Sequence, residues 1–289
     1  MPMKSRAAKL LASAAHEAAV REVLTTPKPG LVDAEGSGCH EDMDCALFIK
    51  SAQAIAPFWE AQARTGLNGT PPSEAMRELR AAGAEMERAM FAATDGINTH
   101  KGLIYLMSLL LYGAGYMLSA EGEASADGAA RAASRAVSGA VARELGALAA
   151  KSPDRPLSNG ERLFLEYGIT GVRGEAERAF PSVVKDGLSA LRNALDDGAA
   201  ENDAGLAALL AIMAVCEDSN VIHRAGYGYW RDVYPRLVAD TPAAVRAGSR
   251  FPAAAREPGR RGRSFKLYIF FEFFAERYNL LVVILLILL

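Results

Sequence analysis

The sequence predicts an all-α protein: a single multi-helix domain of roughly ten helices, with polar loops at the helix ends. Three observations carry this reading. Apolar residues recur at spacings of three and four, as in Met76, Leu79, Gly83, Met86 and Met90, which is the period of one helix face. Outside the C-terminal tail there is no alternating apolar and polar run of useful length, so no strand is expected. Proline- and glycine-bearing breaks then divide the chain into segments of helical length.

The elements follow in order. Residues 7–24 read as an Ala-rich helix. Thr25-Thr26-Pro27-Lys28-Pro29-Gly30 ends it, because two prolines cannot donate and bias their predecessors to extended forms. A polar loop carries Asp33, Glu35, His40, Glu41 and Asp42, with Asp44 just beyond. Residues 43–64 form a helix bent near Pro57. Ser73 is expected to cap the next helix, which runs to 93. The break Thr94-Asp95-Gly96-Ile97-Asn98-Thr99-His100-Lys101-Gly102 precedes a helix over 103–118 that is apolar nearly all round. Residues 129–150 form another Ala-rich helix, and 161–167 a short one ended by Gly168. A second polar knot is Gly171-Val172-Arg173-Gly174-Glu175-Ala176. Pro181 suits the first turn of a helix reaching 197. Asp203 is expected to cap a helix whose Leu206, Leu209, Leu210 and Met213 share a face. That helix ends in a third knot, Glu217-Asp218-Ser219-Asn220-Val221-Ile222-His223-Arg224. Residues 229–239, kinked at Pro235, and 242–247 complete the helical part.

Composition bounds the function. With 289 residues, 51% hydrophobic, the chain can build a full core, and a net charge of −2 gives no global attraction to nucleic acid. Cys39, Cys45 and Cys216 form no CxxC pair, which fits free thiols in a reducing cytoplasm. The N-terminal residues are basic but lack a signal-type apolar run. The expected layout is a helical domain over 1–250, a basic Pro/Gly-rich loop over 251–264 and an aromatic and aliphatic tail over 265–289. The last uncharged run of the tail is about half of the ~20 residues that a spanning helix needs. Three readings of the tail stand: a membrane anchor, a core helix, or the product of a shifted reading frame.

The polar knots share a theme, a carboxylate beside a cation or amide among glycines. Such groups suit a phosphorylated substrate, with Lys and Arg on the phosphates and carboxylates binding Mg2+ or moving protons. The turn at Asn98 to Lys101 opens a buried helix, where unpaired backbone N–H groups favour an anion. Capping by Asn98 and Thr99 is the plainer reading of the same residues. Neither GxxxxGK[ST] nor GxGxxG in a strand–helix setting is present. His40 beside Asp42 and Asp44 offers too few ligands for a metal hydrolase.

The wording of the knots is specific. Thr26-Pro27-Lys28-Pro29-Gly30-Leu31-Val32-Asp33 with His40 and Asp42-Met43-Asp44 resembles the triphosphoribosyl-dephospho-coenzyme A synthase family. So do Gly96-Ile97-Asn98-Thr99-His100-Lys101-Gly102, Tyr167-Gly168-Ile169-Thr170-Gly171-Val172-Arg173-Gly174-Glu175-Ala176 and, more loosely, Asp218-Ser219-Asn220-Val221 with Arg224 and Gly226. The four occur in family order. The resemblance implies an all-α fold and a transferase that joins the triphosphoribosyl group of ATP to the 2′-hydroxyl of 3′-dephospho-coenzyme A, releasing adenine. The product is the precursor of the prosthetic group of the acyl carrier subunit of citrate lyase or malonate decarboxylase. The implied partners are ATP as substrate, 3′-dephospho-coenzyme A and, through the product, an acyl carrier protein subunit; a homodimer is left open.

The resemblance also implies an inverting displacement at C1′ of the ATP ribose. By analogy with inverting glycosidases it needs a base, a proton donor and negative charge near the sugar. On this reading Asp42 or Asp33 is the base and Glu175 the other carboxylate. Asp44 and Asp218 are expected to hold Mg2+. Lys28, Lys101, Arg173 and Arg224 are expected to hold phosphates, and Asn98, Thr99, His100 and Asn220 to bind substrate. Asp33 and Asp44 are equally readable as turn or helix caps, Glu175 as an ion-pair partner of Arg173 or Arg178, and Lys28 as plain surface. One departure is visible: the family's Asn-x-Ser-Pro-Gly-Gly-Ser-Ala-Asp stretch has no counterpart after Arg250. The alternative function is therefore a helical binding or membrane-associated protein that keeps the scaffold and has lost catalysis.

Overall fold

The computed structural model describes residues 2–28, 31–38, 40–150, 156–236 and 238. The expectations for Pro29, Gly30, Cys39 and residues 239–289 lie outside them, as do those for the side chains of Asn220, His223 and Arg224. No strand occurs among the described residues. The helices are α1 (Pro2–Leu24), α2 (Cys45–Ile55), α3 (Trp59–Leu67), α4 (Pro72–Ala93), α5 (Lys101–Ala120), α6 (Ala126–Ala136), α7 (Ala147–Ala150), α8 (Asn159–Tyr167), α9 (Gly171–Glu177), α10 (Leu188–Asp196), α11 (Glu201–Val215), α12 (Ser219–Ala225) and α13 (Tyr227–Asp232).

The centre of the fold is α5. It is apolar all round because it is covered all round: α3 and α6 flank it, α4 crosses it and α1 lies beyond α3. By length and composition α5 could cross a membrane, yet 72% of its most apolar window is buried inside the protein, as expected of a core helix. Small residues let its neighbours come close. Gly66 of α3 lies on Gly115 of α5, and a Cβ built on Gly66 would stand 2.6 Å from the Tyr116 nitrogen and 3.0 Å from the Gly115 carbonyl carbon. A Cβ on Gly113 would strike the backbone of Ala129 in α6. At both crossings backbone meets backbone, with no side chain between them to yield.

Most boundaries follow local chemistry. Asp44 caps α2, its Oδ1 accepting from the Leu47 N–H at 2.8 Å. The expected bend at Pro57 is present as a single 3-10 turn, Ala56–Phe58, between α2 and α3. On α4 the stripe of Leu79, Met86 and Met90 is buried. Ser158 and Glu161 form a reciprocal capping box on α8, and Gly168 (φ 71°) ends it in the left-handed region.

Three expectations need correction. Ser73 does not cap α4; the helix begins at Pro72, which has no N–H to leave unpaired. Asp203 does not cap α11. Ala200 is the extended residue before the helix, and Asp203 lies inside the first turn with Glu201, where negative charge suits the helix dipole. The expected helix over 129–150 is broken. Gly139 (φ 70°) turns the chain, and the Glu177 carboxylate of α9 accepts from the N–H groups of Gly139 and Val141. A π-helical segment, Val141–Gly146, follows before α7.

A second layer packs α10 on α11 and on the π-helical segment Ser182–Gly187 that precedes α10. The main core is continuous through both layers, from Trp59 and Tyr112 to Phe180, Ile212 and Tyr234.

Candidate active site

The break between α4 and α5 is a tight turn. Asp95 (φ 53°) and Gly96 (φ 86°) both take the left-handed region. Thr94 is fully buried, and its hydroxyl is shared between the carbonyl oxygens of Met90 and Ile97. The Lys101 N–H, the first of α5, donates to Asn98 Oδ1 at 3.2 Å, while the cap position itself is held by His100 without a side-chain bond. The Lys101 side chain is half exposed and reaches back to Glu87 of α4, Nζ to Oε2 3.1 Å.

Behind the turn lies a neutral polar cluster. Thr99 Oγ1 donates to Ser51 Oγ of α2 at 2.7 Å, and Ser51 Oγ lies 2.7 Å from His100 Nδ1. Ser51 Oγ thus bridges Thr99 and the imidazole. His100 is 1% exposed and its Nε2 has no partner. Phe48 stands edge-on at 5.1 Å. Burial first, and then the charge of Lys28, hold the His100 pKa down to about 3. The ring is therefore neutral across the whole physiological range.

This has a consequence for stability. The ordinary value is 6.5 and the folded value about 3, so as pH falls below 6.5 the unfolded chain takes up a proton that the folded chain refuses. His100 should thus remove about 1.4 kcal/mol of stability per pH unit below its ordinary value. Burial raises the Glu22 pKa, an effect of opposite sign that wild type and His100→Gln share. Denaturant unfolding of the two proteins at pH 7 and pH 5 should show a steeper loss for wild type; parallel losses would contradict the buried neutral imidazole.

The first polar loop is packed against this turn: Ile97 joins Val23, Val32, Met43 and Phe48 in one apolar cluster. Asp33 is buried and organises the loop. Its Oδ2 accepts from Thr26 Oγ1 (2.9 Å) and the Lys28 N–H (2.7 Å), and its Oδ1 from the N–H groups of Glu35 (2.9 Å) and Gly36 (3.0 Å). Four donors fill a carboxylate's usual acceptor sites, which makes Asp33 a loop brace. Lys28 departs furthest from expectation. It is neither surface nor open to phosphate: its Nζ donates to the Glu22 carbonyl oxygen and Oε1, both at 2.7 Å, with the two side chains 2% and 4% exposed. Asp42 is exposed, 3.6 Å from His40 Nδ1. Asp44 is exposed at the start of α2.

A cleft of about 160 Å³ lies between α4 and α5. Arg80 and Glu87 of α4 and Tyr105 and Ser108 of α5 line it. The π-helical segment carries Glu144 to its edge, where Glu144 pairs with both Arg80 and Arg173, the latter at 3.1 Å from Nε. Burial, together with Glu144, pushes the Tyr105 hydroxyl up to about 12, so it stays protonated. Three cations thus border the cleft, two of them foreseen: Arg80 lines it, Arg173 joins Arg80 through Glu144, and Lys101 is held by Glu87, two turns along α4 from Arg80. Their carboxylate partners are partly exposed, and such ion pairs are worth at most about 1 kcal/mol. A polyphosphate could displace them at little cost.

The other knots meet at Glu217. Its Oε2 accepts from the Thr170 N–H (2.8 Å), Thr170 Oγ1 (2.9 Å) and the Gly171 N–H (2.9 Å), fixing the start of α9. Glu175 is buried and pairs with neither arginine. Its Oε1 accepts from the Ser182 N–H (2.9 Å) and Oγ (2.6 Å), holding the turn in which Ala179 (φ 63°) and Phe180 (φ 55°) take the left-handed region. Burial raises its pKa against the pull of those bonds. Asp218 is buried and caps α12, accepting from the Val221 N–H at 3.0 Å, with Tyr234 Oη 3.5 Å from its other oxygen. Among the described residues no three His, Cys, Asp or Glu side chains are grouped to hold a metal ion.

Sequence reasoning passed over Glu22, Ser51, Arg80, Glu87, Tyr105 and Glu144. One signal was available: Arg80, Gly83, Ala84 and Glu87 step by three and four along α4, a second face beside the apolar stripe. Ser51, Tyr105 and Glu144 are set by contacts across tens of residues and leave no local pattern, while Glu22 meets Lys28 only six residues on, across the turn that ends α1.

Comparison with known proteins identifies the family. Residues 8–241 match the family described as CitG, ATP:dephospho-CoA triphosphoribosyl transferase. A protein of Vibrio cholerae serotype O1 (strain M66-2), named probable 2-(5''-triphosphoribosyl)-3'-dephosphocoenzyme-A synthase, is 38% identical over 75% of this chain and 69% of its own length. The 2-(5''-triphosphoribosyl)-3'-dephosphocoenzyme-A synthase of Pectobacterium atrosepticum is 36% identical over 82% and 80%. A probable synthase of Stutzerimonas stutzeri is 39% identical over 86% and 81%. No solved structure matches the chain. The four knots in order, the all-α fold and the match over 8–241 agree: this chain is an enzyme that belongs to the ATP:dephospho-CoA triphosphoribosyl transferase family.

Proposed function

We propose that the protein transfers the triphosphoribosyl group of ATP to the 2′-hydroxyl of 3′-dephospho-coenzyme A. The 2′-oxygen forms a bond to C1′ as the bond from C1′ to N9 of adenine breaks. The hydroxyl proton passes to a base, and the departing adenine takes up one proton from a donor or from water, so that the proton count is unchanged overall. The observation that carries this reading is Arg80 in the cleft between α4 and α5, with Lys101 and Arg173 brought beside it through Glu87 and Glu144.

Within that reading the residues divide into two groups. Lys101, Arg173 and Arg80 hold the triphosphate, with Asn98 shaping the turn that presents Lys101. His100 offers a neutral imidazole. Asp42, exposed beside His40, is the base. Thr99, Asp33 and Lys28 position the two loops, and Glu175 and Asp218 position α9 and α12, which carry Arg173 and the substrate-binding candidates Asn220 and Arg224. A Mg2+ ion bound with the triphosphate would lower its charge. Asp44, exposed and with one oxygen engaged, fits such an ion; Asp218, buried with both oxygens engaged, does not. The product then serves the prosthetic group of an acyl carrier subunit of citrate lyase or malonate decarboxylase. A cytoplasmic setting is supported by the free thiols Cys45 and Cys216.

The test is direct. Purified protein given ATP, Mg2+ and 3′-dephospho-coenzyme A should release free adenine, and should release none when 3′-dephospho-coenzyme A is omitted. A folded protein at high concentration that releases none would overturn the proposal.

A further inference from the structure

We infer that the cleft between α4 and α5 is an adenine pocket, holding the base of one nucleotide substrate while its phosphates lie on the cations that border it. The inference rests on the transferase reading and adds where a base sits.

Size speaks first. At about 160 Å³ the cleft is below the ~300–1,000 Å³ of sites that take a drug-sized ligand. It suits one flat ring system, with sugar and phosphates outside. The walls come second. Leu79, Ile104 and Leu109 are buried and give it an apolar floor. Gly83 leaves one wall open, since a Cβ built there would meet nothing nearer than the Ile104 Cγ2 at 3.8 Å.

The third observation selects the chemistry. Ser108 is 4% exposed, lines the cleft and has no hydrogen-bond partner for its Oγ. A buried hydroxyl without a partner is unfavourable. A ligand with both donor and acceptor in one ring plane would satisfy it. Adenine has acceptor ring nitrogens beside an amino donor, and a hydroxyl can answer either. A purely aliphatic group would leave Ser108 as it is. Continuity is the fourth point: Arg80 and Glu87 line the cleft, Lys101 pairs with Glu87, and Arg173 pairs with Glu144 beside Arg80. A base in the cleft therefore places the rest of its nucleotide among the three cations.

Both substrates carry adenine, so the test has an arm for each. Calorimetric titration of the full chain would use ATP with Mg2+, 3′-dephospho-coenzyme A, 4′-phosphopantetheine and inorganic tripolyphosphate as separate probes. Ser108→Val removes the hydroxyl, and Gly83→Leu fills the cleft from the opposite wall. Leucine is the better helix former at position 83, so the second variant should fold if the first does not, and thermal melts confirm both. Each variant is expected to weaken ATP or 3′-dephospho-coenzyme A about 10-fold or more while tripolyphosphate binds as to wild type. The nucleotide that weakens is the occupant. Unchanged affinity for both nucleotides would overturn the pocket and leave the transferase reading standing. Equal weakening of 4′-phosphopantetheine would also overturn it, by assigning the cleft to the pantetheine arm. A wild-type chain that binds neither nucleotide would overturn the transferase reading itself.

Discussion

Replacing Lys101 by alanine should lower the rate of 3′-dephospho-coenzyme A-dependent adenine release by ~10²-fold, the usual effect of deleting one aimed donor from a site of developing charge. The fold should barely notice. Lys101 is half exposed and its partner is a partly exposed glutamate, so the expected stability change is within about 0.5 kcal/mol. Arg173→Ala should behave alike, because Arg173 joins the cleft from α9 through Glu144, which is partly exposed too. The split between rate and stability is what separates this lysine from Lys28. Both stand in polar knots, yet Lys28 is sealed against Glu22, where removing one charge strands the other in the interior. Steady-state rates beside thermal melts check the prediction. Near-wild-type turnover of Lys101→Ala would remove this residue from the site.

The second large effect concerns the core. Gly113→Ala should destabilise the protein by about 3 kcal/mol, at the upper end of overpacking effects, because the new Cβ would press on the Ala129 backbone of α6. Gly66→Ala should act alike at the crossing of α3 and α5. Alanine is intrinsically the better helix former by about 1 kcal/mol, so the clash must exceed that gain. Gly83→Ala provides the contrast. Its Cβ would meet only an ordinary contact at 3.8 Å, and the substitution should stabilise. Urea unfolding of the three variants measures all of this. If Gly113→Ala and Gly83→Ala shifted the midpoint in the same direction, the close approach of α5 to its neighbours would be wrong.

How far the sequence carried depends on how local each signal is. The apolar stripe on α4, the all-round apolar α5 and the break between them were readable because each repeats or interrupts a period within a few turns. The split of the expected 129–150 helix was not. Its residues favour helix throughout, and what divides it is the Glu177 carboxylate, thirty-six residues from Val141. The polar knots were readable as candidates, because a carboxylate, an amide and a cation in one short turn are rare without a task. Which of them face a ligand was not readable. Asp33 and Asp42 look alike in sequence. One is saturated by four donors and the other stands exposed. The same holds for Lys28 and Lys101, where the difference is a glutamate at the end of α1. Ser51, Glu144 and Arg80 gained their places from helices meeting in space, and nothing in their neighbours along the chain marks them.

One reaction tests the central claim, that the cations bordering the cleft between α4 and α5 hold a triphosphate while C1′ of the ribose is transferred. ATP, Mg2+ and 3′-dephospho-coenzyme A are incubated with the full chain, and all small products are counted by chromatography and mass spectrometry. The account predicts adenine and triphosphoribosylated dephospho-coenzyme A in equal amounts, with the three phosphates still on the new sugar. ADP, AMP or free phosphate appearing in step with the coenzyme product would mean that a phosphoryl group moves instead, and would contradict it.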